Sequence, residues 1–227
     1  MFTDALTYPK RGPDATKTIL IGGLLTLLSV LVVPILLVSG YAVRVIRSVA
    51  EGESRPPVFD RWSGLLVDGA KGIVVMLAYF LVPAFLLGAI GAIVTGAFGN
   101  TFASGPIAFL VAAAIVLASV GLWYAATGAF VTFAVSGNLR SAFSPEAVVP
   151  LLRRSSFAVA WLVGLAVILV GGVVASIVSL IPVLGVILGA VVTFYAGIGA
   201  AYCYGTGFGA GTDATTSADR PAAEPVA

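Results

Sequence analysis

Between Lys71 and Arg140, and again between Arg154 and Asp213, the chain carries no charged residue: Gly72–Leu139 is a run of 68 and Ser155–Thr212 a run of 58. A shorter charge-free run, Thr18–Val43, precedes them. About 20 consecutive apolar residues suffice to cross the hydrocarbon of a bilayer as a helix. In lipid every backbone polar group must also find its partner within the segment. The two long runs therefore have room for two helical spans each, and the fold class expected is all-α and polytopic: three consecutive helical hairpins, with short interfacial helices on one face. Composition agrees. Only 10% of residues are charged and the mean hydropathy is +1.10, where soluble domains carry about 25% charge.

The same feature limits function. No Asp, Glu, Lys, Arg or His lies inside the long runs, and the chain has no histidine at all, which removes the commonest general base and metal ligand. The single Cys203 excludes an internal disulfide and a cysteine-based metal cluster, and in an apolar segment it reads as a small buried side chain. No cofactor and no metal are expected. A net charge of +2, with scattered bases, gives no footprint for nucleic acid. The bilayer is the one partner that composition names, and the location expected is the cell membrane.

Positive charge decides how the chain is threaded. Lys10, Arg11 and Lys17 precede the first apolar run; Arg44–Lys71 holds five bases and Gly137–Ser156 three, with Arg220 in the tail. If Thr18–Val43 crosses once, these divide nine to three between the two faces. If it turns at Pro34 into a short hairpin, all twelve fall on one face, the cleaner partition under positive-inside bias. The hairpin has a geometric cost: Thr18–Val33 reaches only about 24 Å at 1.5 Å per residue. Both readings stay open, and both make Arg44–Lys71 and Gly137–Ser156 cytoplasmic. At 26 residues the run exceeds the h-region of a cleaved signal, so it is expected to stay as an anchor. The helical domain is expected over residues 1–208 and a disordered polar tail over 209–227.

Within the polar segments, Phe59, Trp62, Leu65 and Leu66 share a helical face over Val58–Lys71, which predicts an interfacial helix with Trp62 at headgroup level. Ser144-Pro145-Glu146 predicts a second short helix. Its basic end, Arg153-Arg154, sits where the next span leaves the headgroups.

The candidate anchors for a lipid headgroup or interface are Arg44, Arg47, Asp60, Trp62, Arg153 and Arg154. Arg44 and Arg47, one turn apart, suit an anionic headgroup or simple snorkelling to the interface, and the second is commoner. Asp60, Asp68, Glu51 and Glu53 could be paired carboxylates, yet in an arginine-rich loop solvated ion pairing is the plainer reading. No nucleophile–base pair is visible, so catalytic residues are expected to be none and the protein not an enzyme. A membrane-embedded enzyme would require Asp60, Asp68, Arg44 and Arg47 to gather around a cleft.

Small residues recur at close helical spacing: Gly88, Gly91, Gly96 and Gly99; Gly164, Gly171, Gly172, Ala175, Ser176 and Ser179; and Gly197, Ala201, Gly205 and Gly209. Such faces let helix backbones approach, within one chain more often than between two. Tyr41, Tyr79, Tyr124, Tyr195, Tyr202 and Tyr204, with Thr127, Thr132 and Thr193, are the strongest polar groups of the spans. With no intramembrane acid for ion coupling, the expected role is a non-enzymatic membrane component acting through helix–helix assembly with a membrane-protein partner or a second copy. The alternative is a passive channel or carrier for a small, largely uncharged solute, suggested by Pro34, Pro83 and Pro182.

The string Gly40-Tyr41-x-x-Arg44-Val45-x-Arg47, followed by Glu51-Gly52, Pro57-x-Phe59-Asp60-x-Trp62 and Asp68-Gly69, resembles a family of multi-pass membrane proteins. That family is abundant in haloarchaea, has bacterial members and is catalogued as a domain of unknown function. Ile181-Pro182-Val183-Leu184-Gly185 and Phe194-Tyr195 are similar to its C-terminal pattern. The resemblance spans roughly residues 1–208 and implies fold and compartment but no activity. Nine arginines against three lysines, with abundant Ala, Gly and Val, agree with a GC-rich, archaeal source.

Overall fold

The first apolar run breaks and turns back. In the computed structural model, which describes residues 1–98 and 105–218, α1 (Phe2–Thr7) and a 3-10 turn lead into α2 (Ala15–Leu27), which ends at a four-residue turn before α3 (Val32–Ala50). The turn therefore falls at residues 28–31 and not at Pro34. The proline sits in the first turn of α3, where its missing N–H has no intrahelical acceptor to lose. Ser29 closes the turn by donating its hydroxyl to the Leu25 carbonyl at 2.9 Å. At 13 residues, α2 rises about 20 Å, short of a full crossing. Its first turn lies beside the chain that follows α3: Thr18 borders one small hollow with Arg55, Pro56 and Val58.

Among the described residues, five helices are long and apolar enough to cross a membrane: Val32–Ala50 (α3), the Trp62–Phe85 part of α4, the Phe109–Ser136 part of α5, Ser155–Val178 (α7) and the Leu184–Gly209 part of α8. With the re-entrant α2 they make three successive hairpins in an all-α polytopic fold. In full, α4 is Trp62–Phe98, α5 is Gly105–Ser136, α6 is Pro145–Leu152 and α8 is Leu184–Ala218. The middle connection expected over Thr95–Gly105 narrows, since α4 stays helical to Phe98 and 99–104 lie outside the described residues. Of the polar tail, the part to Ala218 continues α8, and 219–227 lie outside the described residues.

The two expected interfacial helices fare differently. α6 forms where Ser144-Pro145-Glu146 predicted it. Val58–Lys71 is not a separate helix: α4 starts at Trp62 and continues unbroken into the span. Part of the apolar face there is covered by α3, while Trp62 stays exposed. Leu65 is buried, and a Cβ on Gly69 would lie 1.8 Å from the Leu36 carbonyl oxygen, so α3 and α4 cross backbone to backbone.

α3 is the centre of the molecule. It packs on α4, α8, α5 and α2, and half of its most apolar stretch is buried. α7 and α8 lie along each other, with Gly164 against the Tyr204 ring, Gly171 against Ala196 and Gly207 against Ala160. Eleven of the twelve Lys and Arg lie at the one end where α3 and α5 finish and α4 and α7 begin; the twelfth, Arg220, lies outside the described residues. We call this end the charged face. It is the partition that the hairpin reading of Thr18–Val43 requires.

Candidate functional site

Where α3 emerges at the charged face, the loop after it folds back over its last turns. Tyr41 donates its hydroxyl to the Pro57 carbonyl at 2.8 Å, and the Phe59 ring stacks on the Tyr41 ring with centroids 4.3 Å apart. Arg44 donates to the carbonyls of Val58 at 3.1 Å and Asp60 at 3.0 Å, and pairs with the Asp60 carboxylate. Ser48 donates to the Glu53 carboxylate. Arg47 turns the other way: its Nε donates to the Ala134 carbonyl near the end of α5 at 2.8 Å, and its Nη1 lies 3.6 Å from the Asp68 carboxylate of α4. One arginine thus clasps the loop, and the next ties three helices together.

These groups surround a cleft of about 320 Å³ whose walls include Arg44, Arg47, Glu51, Glu53, Arg61 and Asp68. Three arginines and three acidic residues line it, so the cleft is close to neutral. A guanidinium already satisfied by carbonyl and carboxylate has fewer donors left for a phosphate. Arg61, on the strained left-handed backbone at φ 45°, turns the chain into α4 with its side chain in solvent.

A second anchor lies under the N-terminus. Tyr8 is fully buried against Tyr202, ring centroids 4.6 Å apart, and donates to the Arg55 carbonyl at 3.3 Å. Burial pushes its phenol far above the usual tyrosine range, so it stays a donor. Lys10 and Arg11 stand 5.9 Å from the Tyr195 and Tyr202 rings, and Tyr195 donates to the Leu6 carbonyl. The first ten residues are thereby pinned to α8.

Two uncharged hollows, open to the surface at Thr193 and Gly197, lie between the spans. One of about 220 Å³ is bordered by Thr26, Val38, Tyr41, Ala42, Thr193, Phe194, Gly197 and Ile198. The other, about 280 Å³, reaches toward α4, α5 and α7 past Met76, Trp123, Thr127 and Tyr204; Ala42 and Gly197 belong to both walls. Thr127 accepts the Trp161 indole N–H at 3.3 Å while donating to the Trp123 carbonyl. Thr26 Oγ1 is buried without a hydrogen-bond partner, alone in this among the side-chain polar atoms of the described residues.

Of the residues singled out from sequence, Arg44, Arg47 and Asp68 meet at the cleft with Asp60 held beside them by Arg44. Trp62 opens α4 with its ring 5.9 Å from Phe59, partly exposed. Arg153 and Arg154 end α6 and begin α7, and neither enters the cleft or an ion pair among the described residues. Asp60 and Asp68 each face an arginine, and no group of three His, Cys, Asp or Glu able to hold a metal exists among the described residues. The span tyrosines mostly fasten connections: Tyr79 to the Ala142 carbonyl at 2.9 Å and Tyr124 to that of Leu152 at 2.7 Å. Of the glycine sets, Gly164, Gly171, Gly205 and Gly209 meet neighbouring helices inside the monomer, whereas Gly88, Gly172 and Gly197 have open space where a Cβ would stand. The surroundings of Gly91, Gly96 and Gly99 lie outside the described residues. Cys203 is buried. The sequence reading missed Thr26 and Tyr8, since a lone Thr or Tyr carries no pattern.

A family model described as "Protein of unknown function (DUF4013)" matches residues 23–183. No curated protein and no solved structure matches the chain.

Proposed function

The chain belongs to the DUF4013 family of unknown function, and from its geometry we propose that it is a non-enzymatic component of an archaeal or bacterial cell membrane, its charged face cytoplasmic, that works through helix–helix assembly with a membrane-protein partner or a second copy. The observation that carries this reading is the uneven use of apolar surface. Half of the most apolar stretch of α3 is buried within the monomer, but only 6% of that of α5. Phe85 on α4 and Phe109 and Leu117 on α5 are each more than 70% exposed. Pairing of Asp68 in the cleft with Arg47, and of Asp60 beside it with Arg44, speaks against acid–base work by those two carboxylates.

The test is oxidative cross-linking in native membranes, on a Cys203→Ala background carrying one new cysteine. Leu117→Cys is expected to yield a cross-linked dimer or a stoichiometric adduct with another protein, whereas Val173→Cys on the exposed side of α7 is expected to yield neither. A strict monomer from both would sink the assembly reading.

The second reading, a passive carrier for a small uncharged solute, is favoured by the two uncharged hollows between the spans. It predicts solute flux into proteoliposomes above protein-free controls.

A further inference from the structure

We propose that the α4–α5 hairpin alone crosses the whole membrane, while the α2–α3 and α7–α8 hairpins are re-entrant. They enter from the charged face, seat among the acyl chains of that leaflet and end inside the hydrocarbon. The partner that their lipid-facing surface fits is one leaflet. Depth in the bilayer and assembly with another protein are separate properties, and either can hold without the other.

Charge meets both hairpins well short of a full crossing. On α2, the exposed Lys17 stands about 16 Å before the turn at Leu28. On α3, Arg44 pairs with Asp60 about 18 Å from the start at Val32. On α8, the Lys10 ammonium lies 5.9 Å from the Tyr195 ring, about 16 Å beyond Leu184. On α7, Val167 lies about 16 Å from the end at Val178, and Ala5 is at its level. A Cβ on Gly199 would meet the Ala5 carbonyl oxygen at 3.0 Å and the Val167 side chain at 3.1 Å. Beside Ala5, Asp4 holds the N-terminal ammonium at 2.8 Å, and neither group is buried. Four helices thus agree on about 16–18 Å, and tilt only shortens it, whereas the hydrocarbon core is about 30 Å thick. Were the tips at the far headgroups, Asp4, Lys10, Lys17 and the Arg44–Asp60 pair would lie in hydrocarbon, where ionised side chains are rare and costly.

The tips themselves suit hydrocarbon. Val30 is 96% exposed, Leu180 81% and Val183 76%, and no charged residue lies in 28–31 or 179–183. The turn backbones close on themselves. Leu28, Ser29 and Leu31 donate their N–H groups to the carbonyls of Leu24, Thr26 and Leu28. Leu180, Ile181, Leu184 and Gly185 donate theirs to Ile177, Val178, Pro182 and Ile181. Ser29 and Ser179 turn their hydroxyls to the Leu25 and Gly185 carbonyls. Hydrocarbon demands such internal partners, which a turn among hydrated headgroups does not. By contrast, α4 is charge-free from Gly72 to Phe98, about 40 Å, and α5 throughout Gly105–Ser136, about 48 Å. Each exceeds a full hydrocarbon layer.

Spin labelling of the full-length protein in dioleoylphosphatidylcholine vesicles measures the depth directly. On a Cys203→Ala background, one nitroxide is attached at Val30→Cys, at Leu180→Cys or, as the aqueous reference, at Arg153→Cys, all exposed positions. Oxygen concentrates at the bilayer centre, and a polar nickel chelate is kept out of it. Expected at both tips is high oxygen access, with nickel access at least about 10-fold below that at Arg153 and a melting temperature unchanged from the background. Should a label lower the melting temperature, Leu31→Cys or Ile181→Cys repeats the measurement one residue away. Nickel access at either tip that approaches the Arg153 value would overturn the proposal, because that tip would then reach water on the far side. Low access to both reagents would overturn it equally, by placing the tip against protein instead of acyl chains.

Discussion

Gly40 and Gly121 are both glycines inside apolar helices, and their surroundings are opposite. A Cβ on Gly40 would lie 1.9 Å from the Leu65 carbonyl oxygen, and one on Gly69 as near to that of Leu36, so α3 and α4 touch main chain to main chain. A Cβ on Gly121 of α5, or on Gly88 of α4, would meet nothing within 4 Å. The same hairpin is thus welded to α3 at Leu65 and Gly69 and meets no protein at Gly88 and Gly121. Lipid tails are as apolar as Leu, so burying a side chain between helices brings no hydrophobic gain in a membrane. Close backbone approach and hydrogen bonds decide where helices stay together. Where those are present the spans pack, and where they are absent apolar surface remains for lipid or for another protein.

The sharpest way to break this comparison is to add one methyl group at each place. Gly40→Ala forces a side chain into the Leu65 backbone, which cannot give way as a flexible side chain would, and is expected to cost about 3 kcal/mol or to prevent folding. Gly121→Ala adds a methyl to open space and removes a glycine from a helix interior, and is expected to stabilise by about 0.5–1 kcal/mol. Thermal unfolding of the two variants in the same detergent decides it. Shifts of equal sign and size would show that the crossing is no tighter than the outer hairpin.

The fold class and the charged face were legible in the sequence because both follow from one-dimensional facts: where charges are missing and where arginines cluster. The turn at residues 28–31 was not, because Leu28, Val30 and Leu31 are as apolar as the helices they separate, and Pro34 offered a more conspicuous but misplaced signal. Pro34 is tolerated in the first turn of α3, so a proline marked the restart of the helix and not its bend. The Phe59-Trp62-Leu65-Leu66 stripe was legible as an apolar face, but not that α3 would bury Leu65 while Trp62 stays exposed. Periodicity says that a face is buried, not whether α3 or a headgroup layer buries it. At the cleft, Arg44, Arg47, Asp60 and Asp68 stood out by type, but that Arg47 reaches the Ala134 carbonyl, 87 positions away, is a matter of tertiary geometry. Thr26 left no trace because its peculiarity is the absence of a bond.

Arg47 offers a medium-sized test of the same comparison, since it ties the welded end of the hairpin to α3. Arg47→Ala removes a charge-assisted hydrogen bond to Ala134, of a kind worth about 1.5–3 kcal/mol, and a half-exposed pair with Asp68 that adds less than about 1 kcal/mol. Arg47→Lys keeps the charge without the planar fork that reaches both partners, and is expected to recover less than half of the loss. Arg153→Ala, at an exposed arginine outside the cleft, is expected to stay within about 0.5 kcal/mol of the parent. Unfolding at low and at high salt separates the contributions: the Ala134 hydrogen bond persists in salt and the Asp68 pair is screened. An Arg47→Ala effect that vanishes at high salt would reduce the tie to a surface ion pair.

The smallest expected effects come from the hydroxyls that fasten the base of the hairpin to the segment between α5 and α7. Tyr79 reaches over from α4 to the Ala142 carbonyl, and Tyr124 from α5 to that of Leu152 at the end of α6. Each replaces a partner that water cannot supply so near the spans. Tyr79→Phe and Tyr124→Phe keep the rings, with their packing against Phe143 and against Phe157 and Trp161, and remove only the donors. Each is expected to cost about 0.5–1.5 kcal/mol. Because both bonds secure the same segment, the double variant should depart from additivity: once the first bond is gone, the segment can shift and the second is worth less. Strict additivity would mean that Ala142 and Leu151, both buried, hold the segment by packing alone. The charged end of the hairpin would then owe its rigidity to the α3–α4 crossing and not to the tyrosines.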